Sequence, residues 1–247
     1  MDLTAVTSRS TRFSHPALPS VLLVGGAERY LNGRHLIVNF NPQALKLNNR
    51  GQTQLPAFSS VIRCNELIAP AQSCLIFELP VDPAAGAVIG WEQQESYPGR
   101  RYGTESVEAV AFFRSPPDEI AILSFPPQAL AAGSDATYES QRFSLRANLW
   151  FAEPGTHCGI HNEHSFIEIH TQILGVGRMQ IFQSDELASL CEDLLLAPGA
   201  TTSQAFCQIS NRQHYSYPYH QYYADTPSVW LALEYHALPN DEAEHVR

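Results

Sequence analysis

Turn-forming residues divide this chain into short segments along most of its length. It carries 17 Pro and 14 Gly in 247 residues, and several stand in pairs such as Pro116-Pro117 and Pro154-Gly155. Such pairs interrupt helices and mark turns. Long helices are therefore disfavoured, and the chain must fold from short elements.

The segments between these breaks have the composition of β-strands. They are of strand length and rich in Val, Ile, Phe and Tyr, which favour strands. We predict strands at residues 21–24, 36–40, 74–79, 87–91, 107–113, 120–125, 143–151, 166–174, 179–182 and 229–235. Many short strands with turns between them indicate an all-β sandwich or barrel.

One segment has the spacing of a helix instead. Leu187, Leu190 and Leu194 recur at helical intervals, and Ser184 is a suitable residue to cap the first turn. Pro198-Gly199 closes the segment. We therefore predict one short helix near residues 185–195, inserted between strands.

The net charge of the chain argues against some classes of binding partner. The formal net charge is −10, which argues against a nucleic-acid backbone or an anionic membrane as the main partner. Hydrophobic residues make up 44% of the chain, as in globular proteins and unlike disordered ones.

The cellular location follows from cysteine usage and hydropathy. The five cysteines are odd in number and form no CxxC pair, so we expect reduced thiols. No apolar stretch has the length of a membrane span, and residues 1–20 hold no apolar run of signal-peptide length. We therefore predict a cytoplasmic protein.

The predicted division into two halves rests on the turn-forming residues Gly133-Ser134. We predict a loose leader at residues 1–18, a β-rich half at 19–133 and a second half at 134–247. Eight of the ten histidines lie from His157 onward, so the chemistry is expected in the second half.

Histidine and glutamate are concentrated just after Pro154-Gly155. On a strand, alternate side chains share a face. One face would then carry His164, Phe166, Glu168, His170 and Gln172, while the other would carry Ser165, Ile167, Ile169 and Ile173. The second face is apolar and must meet a core, and the first is polar.

A bound metal explains the polar face better than solvent or a set of hydrogen-bonded core histidines does. Imidazole and carboxylate groups together suit Zn, Fe, Mn, Cu or Ni. Four histidines and two glutamates within residues 157–170 are more than isolated buried histidines would require.

These residues resemble the first motif of the cupin superfamily, G-x5-H-x-H-x3,4-E-x6-G. Gly155, His161, His164, Glu168 and Gly175 match it, with one departure, since two residues and not one separate the histidines. A bulge or turn between Asn162 and Glu163 would have to redirect one of them.

The second cupin motif, P-x-G-x-x-H-x3-N, is only partly present. His220 follows Pro218 and lies where the family has its last metal ligand, while His214 is the rival for that place. His157 and His170 are further alternatives to the named ligands. The resemblance covers about residues 142–237.

The resemblance implies a cupin-like double-stranded β-helix, or jelly-roll barrel, in the second half. The first half is then a degenerate second cupin barrel or a capping β-domain. It also implies a homodimer. One divalent ion per chain would be bound by His161, His164, Glu168 and His220, with Fe(II) favoured and Zn, Mn, Ni and Cu as alternatives.

The function implied is that of a metal-dependent enzyme, first a non-haem Fe(II) oxygenase acting on a small polar organic molecule. A divalent-metal isomerase or lyase is the nearest alternative. A non-catalytic, small-molecule-binding or sensory cupin belongs to a different class, and a His–Tyr sugar-nucleotide epimerase without metal ranks last.

Three further residues are candidates for catalysis. His170 would point into the barrel to contact substrate or act as acid or base, against a purely hydrogen-bonded core role. Arg178 could bind a substrate carboxylate, although a surface arginine is the simpler interpretation. Tyr222 belongs to a group of tyrosines around His220 that either offer hydroxyls or only pack.

Overall fold

The computed structural model describes residues 7–48, 53–80, 95–96, 100–101, 112–132, 139–202, 205–211 and 214–239. Within these ranges the chain forms strands and two 3-10 helices, Pro127–Ala129 and Leu187–Ser189. The all-β prediction is confirmed. The predicted strand at 87–91, most of that at 107–113 and the predicted boundary at Gly133-Ser134 lie outside the described residues.

The first seven strands form one antiparallel sheet in the order β1-β2-β7-β3-β6-β4-β5. They are β1 (Thr7–Ser10), β2 (Ser20–Val24), β3 (Arg29–Asn39), β4 (Leu45–Leu47), β5 (Thr53–Leu55), β6 (Ser59–Ile68) and β7 (Ser73–Glu78).

The later strands form three further sheets. They are β8 (Glu95–Ser96), β9 (Arg100–Arg101), β10 (Phe112–Arg114), β11 (Asp118–Phe125), β12 (Ala131–Ala132), β13 (Gln141–Ala152), β14 (Thr156–His157), β15 (Ile167–Leu174), β16 (Gly177–Phe182), β17 (Leu190–Leu196), β18 (Ala205–Asn211), β19 (His214–Ser216), β20 (Tyr219–Ala224) and β21 (Ser228–Ala237). A central sheet runs β15-β21-β13-β10-β8, with β11 also paired to β13. A second sheet runs β17-β16-β20-β14-β9, and a small one runs β12-β18-β19.

The central sheet is covered on both faces. Alternate residues of β13 and β21, such as Leu145 and Leu233, join a buried cluster that also contains Leu36 and Phe77 of the first sheet. The intervening residues, such as Trp230, face the other way. The two halves of the chain therefore share one hydrophobic core on the back of the central sheet.

The front of the central sheet faces the five-stranded sheet. Phe112 and Trp230 of the central sheet pack in one buried cluster with Met179, Tyr222 and Ala224 of the facing sheet. Two antiparallel sheets thus enclose an interior, as in a jelly-roll barrel. The chain forms the predicted cupin-like barrel, and the two sheets of this barrel also include β8 to β11, which lie before residue 133.

The helix predicted near residues 185–195 is wrong. Only Leu187–Ser189 is helical, and the following residues form β17, which pairs with β16 as a hairpin. Leu187, Leu190 and Leu194 are all more than two-fifths exposed, so no apolar surface covers the stripe that would have held a helix in place. Pairing with β16 gives the backbone its hydrogen bonds instead.

Residues 7–18 of the predicted loose leader are ordered, contrary to expectation. β1 pairs with β2, and both Phe13 and Leu18 are buried. Arg9 makes an ion pair with the buried carboxylate of Asp118, at 2.7 Å between Nη1 and Oδ2. Two apolar anchors and this ion pair bind a polar segment to the sheets.

The structure bears on the predictions about disulfides and membrane spans and leaves three other predictions untested. None of the five cysteines forms a disulfide. Within the described residues, no helix has the length and apolar character needed to span a bilayer. The division of the chain near residue 133, the cytoplasmic location and the homodimer stay predictions.

Two motif glycines allow a test of the barrel's turns. Both Gly155 and Gly175 have positive φ, but a Cβ at Gly175 would overlap the carbonyl oxygen of Pro227, whereas one at Gly155 would meet nothing within 4 Å. We expect Gly155→Ala to lower the free energy of unfolding by about 1–2 kcal/mol through backbone strain alone. Gly175→Ala should lose about 1–3 kcal/mol more through the overlap.

Urea unfolding of the two variants beside the wild type measures the difference. Equal losses for the two substitutions would contradict the close approach between the Gly175 turn and Pro227.

Candidate metal centre

An irregular segment brings the histidines together before β15 begins. His161 forms an isolated bridge with His220, in which each backbone N–H donates to the other's carbonyl oxygen at 3.0 and 2.9 Å. Residues 162–166 then run without strand pairing, and β15 starts at Ile167. This departure from the strand is the turn that the extra residue between His161 and His164 required.

Three imidazole rings converge on one point. The Nε2 atoms of His161 and His164 are 3.1 Å apart, and those of His164 and His220 are also 3.1 Å apart. All three ligand atoms lie within 4.8 Å of one another, and they form the cluster with metal-binding geometry found among the described residues.

Hydrogen bonds on the far side of two rings fix which nitrogen carries the proton. Nδ1 of His161 donates to the carbonyl oxygen of Gly159, and Nδ1 of His220 donates to that of Pro218, both at 2.9 Å. Because a carbonyl oxygen can only accept, Nδ1 is protonated in each ring. In the neutral rings, Nε2 of both residues therefore presents a lone pair toward His164.

Burial keeps the rings of His164 and His220 neutral. It lowers the pKa of His220 to about 3, with the neighbouring His161 adding to the effect. The pKa of His164 is also lowered, mainly by burial and partly opposed by the negative charge of Glu168. Neutral imidazole is the form that binds metal ions.

The donor set fits one divalent cation. A proton on Nε2 of His164 can be donated in a linear hydrogen bond to Nε2 of His161 or to Nε2 of His220, but not to both. In the other pair, two nitrogen lone pairs then face each other with no proton between them. A cation removes that repulsion. Two nitrogens bound at about 2.1 Å to one ion lie about 3.0–3.4 Å apart in neighbouring positions, which agrees with the separations observed.

Tyr217 holds the segment that carries the site. Its hydroxyl donates to the carbonyl oxygen of Phe166 at 2.8 Å and accepts from the backbone N–H of Glu168 at 2.9 Å. Its ring lies 4.7 Å from that of His164. Nothing in the sequence links Tyr217 to residues 166–168, so this role was not predicted.

Glu168 lies beside the three histidines and is not part of the converging group. Its Oε2 is 3.9 Å from Nε2 of His164, while its Oε1 is 3.3 Å from Nε2 of His170. Burial alone would raise the pKa of Glu168, but the charge and hydrogen bond of His170, with the other histidines, bring it to about 2. The residue is therefore a buried, ionised carboxylate at the edge of the site.

His170 faces the same interior as predicted. Its backbone is held by Thr202, whose Oγ1 accepts from the His170 N–H at 2.9 Å. Nδ1 of the ring is buried and has no hydrogen-bond partner among the described residues. Its Nε2 contacts Glu168, and its ring lies 6.2 Å from that of Phe206.

The histidines open onto a cavity of about 330 Å³. Its walls are mainly aromatic, with a few charged groups and one thiol. The lining residues are Phe112, Arg114, Trp150, Cys158, His161, His164, Phe166, Glu168, His170, His220, Tyr222, Trp230 and Glu234. Arg114 and Glu234 carry charge into the cavity and were not identified from the sequence, because neither lies in a recognisable motif.

Of the other catalytic candidates, Tyr222 lines the cavity and Arg178 does not. The Tyr222 hydroxyl donates to Oε1 of Gln172 at 2.7 Å, so it is already engaged. Arg178 binds Asp193 and Asp225, at 2.7 and 2.8 Å. The role predicted for Arg178 in binding substrate is therefore corrected, since its guanidinium is bound by two carboxylates away from the cavity.

The rival ligands are also placed away from the converging atoms. His214 is exposed on β19, and His157 is buried on β14, where its Nδ1 accepts from the Gly159 N–H at 3.2 Å. Neither lines the cavity. His220 is thus the better candidate for the last ligand.

Comparison with known proteins gives distant structural similarities. No family model matches the sequence, and a search of curated proteins found no significant match. A structure from a study of the Mn(II) centres of Bacillus subtilis oxalate decarboxylase aligns with a TM-score of 0.30 at 12% identity, covering 96% of this chain and 74% of that one. The structure of that enzyme at pH 4.6 gives 0.31 at 13% identity, covering 94% and 72%.

A cupin 2 conserved barrel domain protein from Leptotrichia buccalis aligns with a TM-score of 0.27 at 12% identity, over 96% of this chain and 91% of that one. Similarity at this level says nothing about the metal or the reaction of this chain. The cupin-like assignment follows from the strand arrangement and the positions of the motif residues.

Metal titration tests the three-histidine centre. Loss of a residue that only supports a metal ligand typically weakens metal binding by about 10–100-fold. We expect His220→Ala to weaken binding of Zn(II) or Mn(II) by more than this. Glu168→Gln should stay within that 10–100-fold range, because Glu168 lies outside the converging group. Isothermal titration and elemental analysis measure both effects.

His214→Ala is the matched control, since this exposed histidine lies outside the site, and it should bind metal like the wild type. Loss of metal from Glu168→Gln as complete as that from His220→Ala would instead make Glu168 a ligand.

Proposed function

We propose that the protein is a metal-dependent enzyme that acts on a small organic molecule. His161, His164 and His220 would hold one divalent cation at the wall of the cavity. The observation that carries the proposal is the convergence of three imidazoles, two of them with their Nε2 lone pairs fixed toward the third.

The donor set and the cavity favour an oxygenase with Fe(II). Three protein nitrogens leave coordination positions open, as oxygenases of the non-haem iron type require. A bound divalent ion would supply Lewis-acid chemistry there and, as iron, redox chemistry as well. The cavity, at about 330 Å³, is at the small end of the range for ligand sites, and so one small molecule would fill it.

Glu168 and His170 give the site a means of moving protons. Their 3.3 Å contact lies inside the cavity lining, next to His164. Glu168, as an ionised carboxylate, would hold a proton on Nε2 of His170 or accept one from substrate. This pair favours a second candidate function, that of a divalent-metal isomerase or lyase, in which proton transfer is the central step.

Oxygen uptake separates the two candidates. Wild-type protein loaded anaerobically with Fe(II) is mixed with a panel of small organic acids and phenols in an oxygen electrode, and product is followed separately. An oxygenase consumes oxygen as product forms, whereas an isomerase or lyase turns over without oxygen uptake. Failure of the protein to bind Fe(II), Zn(II) or Mn(II) would overturn the proposal and leave a small-molecule-binding cupin without a metal.

His170→Asn tests the proton-transfer pair. We expect turnover of the substrate found in that panel to fall by about 10²–10⁴-fold, the usual contribution of a positioned acid or base. Metal content should not change, because His170 is not part of the converging group. Unchanged turnover in this variant would show that the Glu168–His170 pair only supports the fold.

A further inference from the structure

A second carboxylate–histidine pair lies beside the cavity, apart from the pair formed by Glu168 and His170. Nε2 of His236 donates to Oε2 of Glu234 at 3.0 Å. The two residues are two positions apart on β21, so their side chains share the face that carries Trp230 and fronts the cavity. Glu234 lines the cavity, and His236 lies one residue before the end of the strand.

This pair connects the buried interior with the surface. Trp230 and Ala232, which precede it on the same face, are 2% and 0% exposed. The side chain of Glu234 is 14% exposed, and that of His236 is 25% exposed. Nδ1 of His236 has no hydrogen-bond partner among the described residues, so this atom is left for water. Glu234 thus faces the cavity while His236 has access to solvent.

Two further contacts restrain the pair. Nδ2 of Asn148 donates to Oε1 of Glu234 at 2.8 Å, so each carboxylate oxygen accepts from one fixed donor. The ring of His236 packs against that of Phe166, with 4.6 Å between their centroids. Because both side chains are held in place, a proton can pass between them without a large movement.

Glu234 also lies next to the proton-transfer pair proposed above. It is directly opposite Glu168 across the β15–β21 pair, where the Cβ atoms of facing residues are about 4.5–5.5 Å apart. Glu168 in turn contacts His170, and their side chains are only 9% and 8% exposed. Solvent therefore reaches His236 more easily than it reaches His170. One water molecule or a polar group of a substrate is enough to connect the two carboxylates.

From this arrangement we infer that Glu234 and His236 form a proton path between the cavity and solvent. In the inward direction, Nδ1 of His236 takes a proton from water while its Nε2 proton passes to Oε2 of Glu234. Glu234 then gives that proton to a group in the cavity and becomes a carboxylate again. The ring regains its first tautomer by exchanging protons with water, so one proton has moved inward and no bond other than those to hydrogen has changed.

The inference rests on the proposed function for its purpose, because Glu168 and His170 are the pair that would move protons on the substrate. A cavity of about 330 Å³ that is filled by one small molecule has little room for water. Glu234 and His236 would then supply the exchange with solvent that Glu168 and His170 lack.

Exchange of the Nε2 proton of His170 with solvent tests the path without any substrate. Its rate is measured by NMR on metal-free protein with isotope-labelled histidine. We expect His236→Ala and Glu234→Gln each to slow this exchange by about 10-fold or more, since a positioned acid or base speeds proton transfer by about 10²–10⁴-fold. His214→Ala is the matched control and should exchange like the wild type, because His214 is exposed and lies outside the site.

Imidazole added to the buffer separates a proton path from a structural role. It should restore the exchange rate in His236→Ala, where it replaces the missing ring, and not in Glu234→Gln, which lacks the inner carboxylate. A wild-type rate in both variants would mean that water in the cavity or local opening exchanges the proton directly, and it would overturn the inference. Slower exchange that does not recover in imidazole also overturns it, because the two residues would then only support the local structure.

These outcomes are independent of metal binding and turnover. If the variants keep the wild-type exchange rate while the protein binds metal and turns over a substrate, the path fails and the proposed function stands. If no divalent metal binds to the wild type, the proposed function fails, whereas slower exchange with recovery in imidazole would still support the path.

Discussion

The central sheet packs against a hydrophobic core on one face and lines the cavity on the other, and the rest of the molecule depends on this arrangement. One set of alternate residues, including Leu145, Ile169 and Leu233, packs against the first seven-stranded sheet in a hydrophobic core. The opposite set, including Glu168, His170 and Trp230, faces the cavity. Because the side-chain period of a strand is two, a register slip of one residue would bury the charges and expose the core. The apolar back therefore fixes the register in which the polar front is presented.

The metal centre depends on this fixed register, although none of its three histidines lies on a strand of the central sheet. His161 and His164 precede β15 in an irregular segment, and His220 comes from β20 in the facing sheet. The hydroxyl of Tyr217 binds the backbone on both sides of the point where β15 begins. Backbone carbonyls behind His161 and His220 set the orientation of their rings. The converging nitrogens are thus positioned by the backbone and by Tyr217, which is the kind of support that keeps a metal site in place.

The predictions from sequence failed where the local structure depends on which distant part of the chain packs against it. The leucines at 187, 190 and 194 satisfy helical spacing, but the fold offers them no apolar partner, and pairing with β16 prevails. Arg178 was a candidate for binding a substrate carboxylate, yet Asp193 and Asp225 from other elements bind it. Arg114 and Glu234 enter the cavity only because β10 and β21 both pair with β13. Each of these results is a long-range encounter that no local pattern encodes.

Local patterns determined the rest. The proline and glycine breaks, the β-forming composition and the alternation after Phe166 were enough to predict an all-β sandwich or barrel. They also predicted that Ile167 and Ile169 face a core and that Glu168 and His170 lie on the opposite face. The resemblance to the cupin motifs added His161, His164 and His220, together with Glu168, as candidate ligands. Only the tertiary structure decided that these three converge while Glu168 turns to His170, since that choice rests on distances between elements far apart in the chain. Spacing along a strand fixes the face on which a side chain lies, but packing between sheets fixes what it meets there.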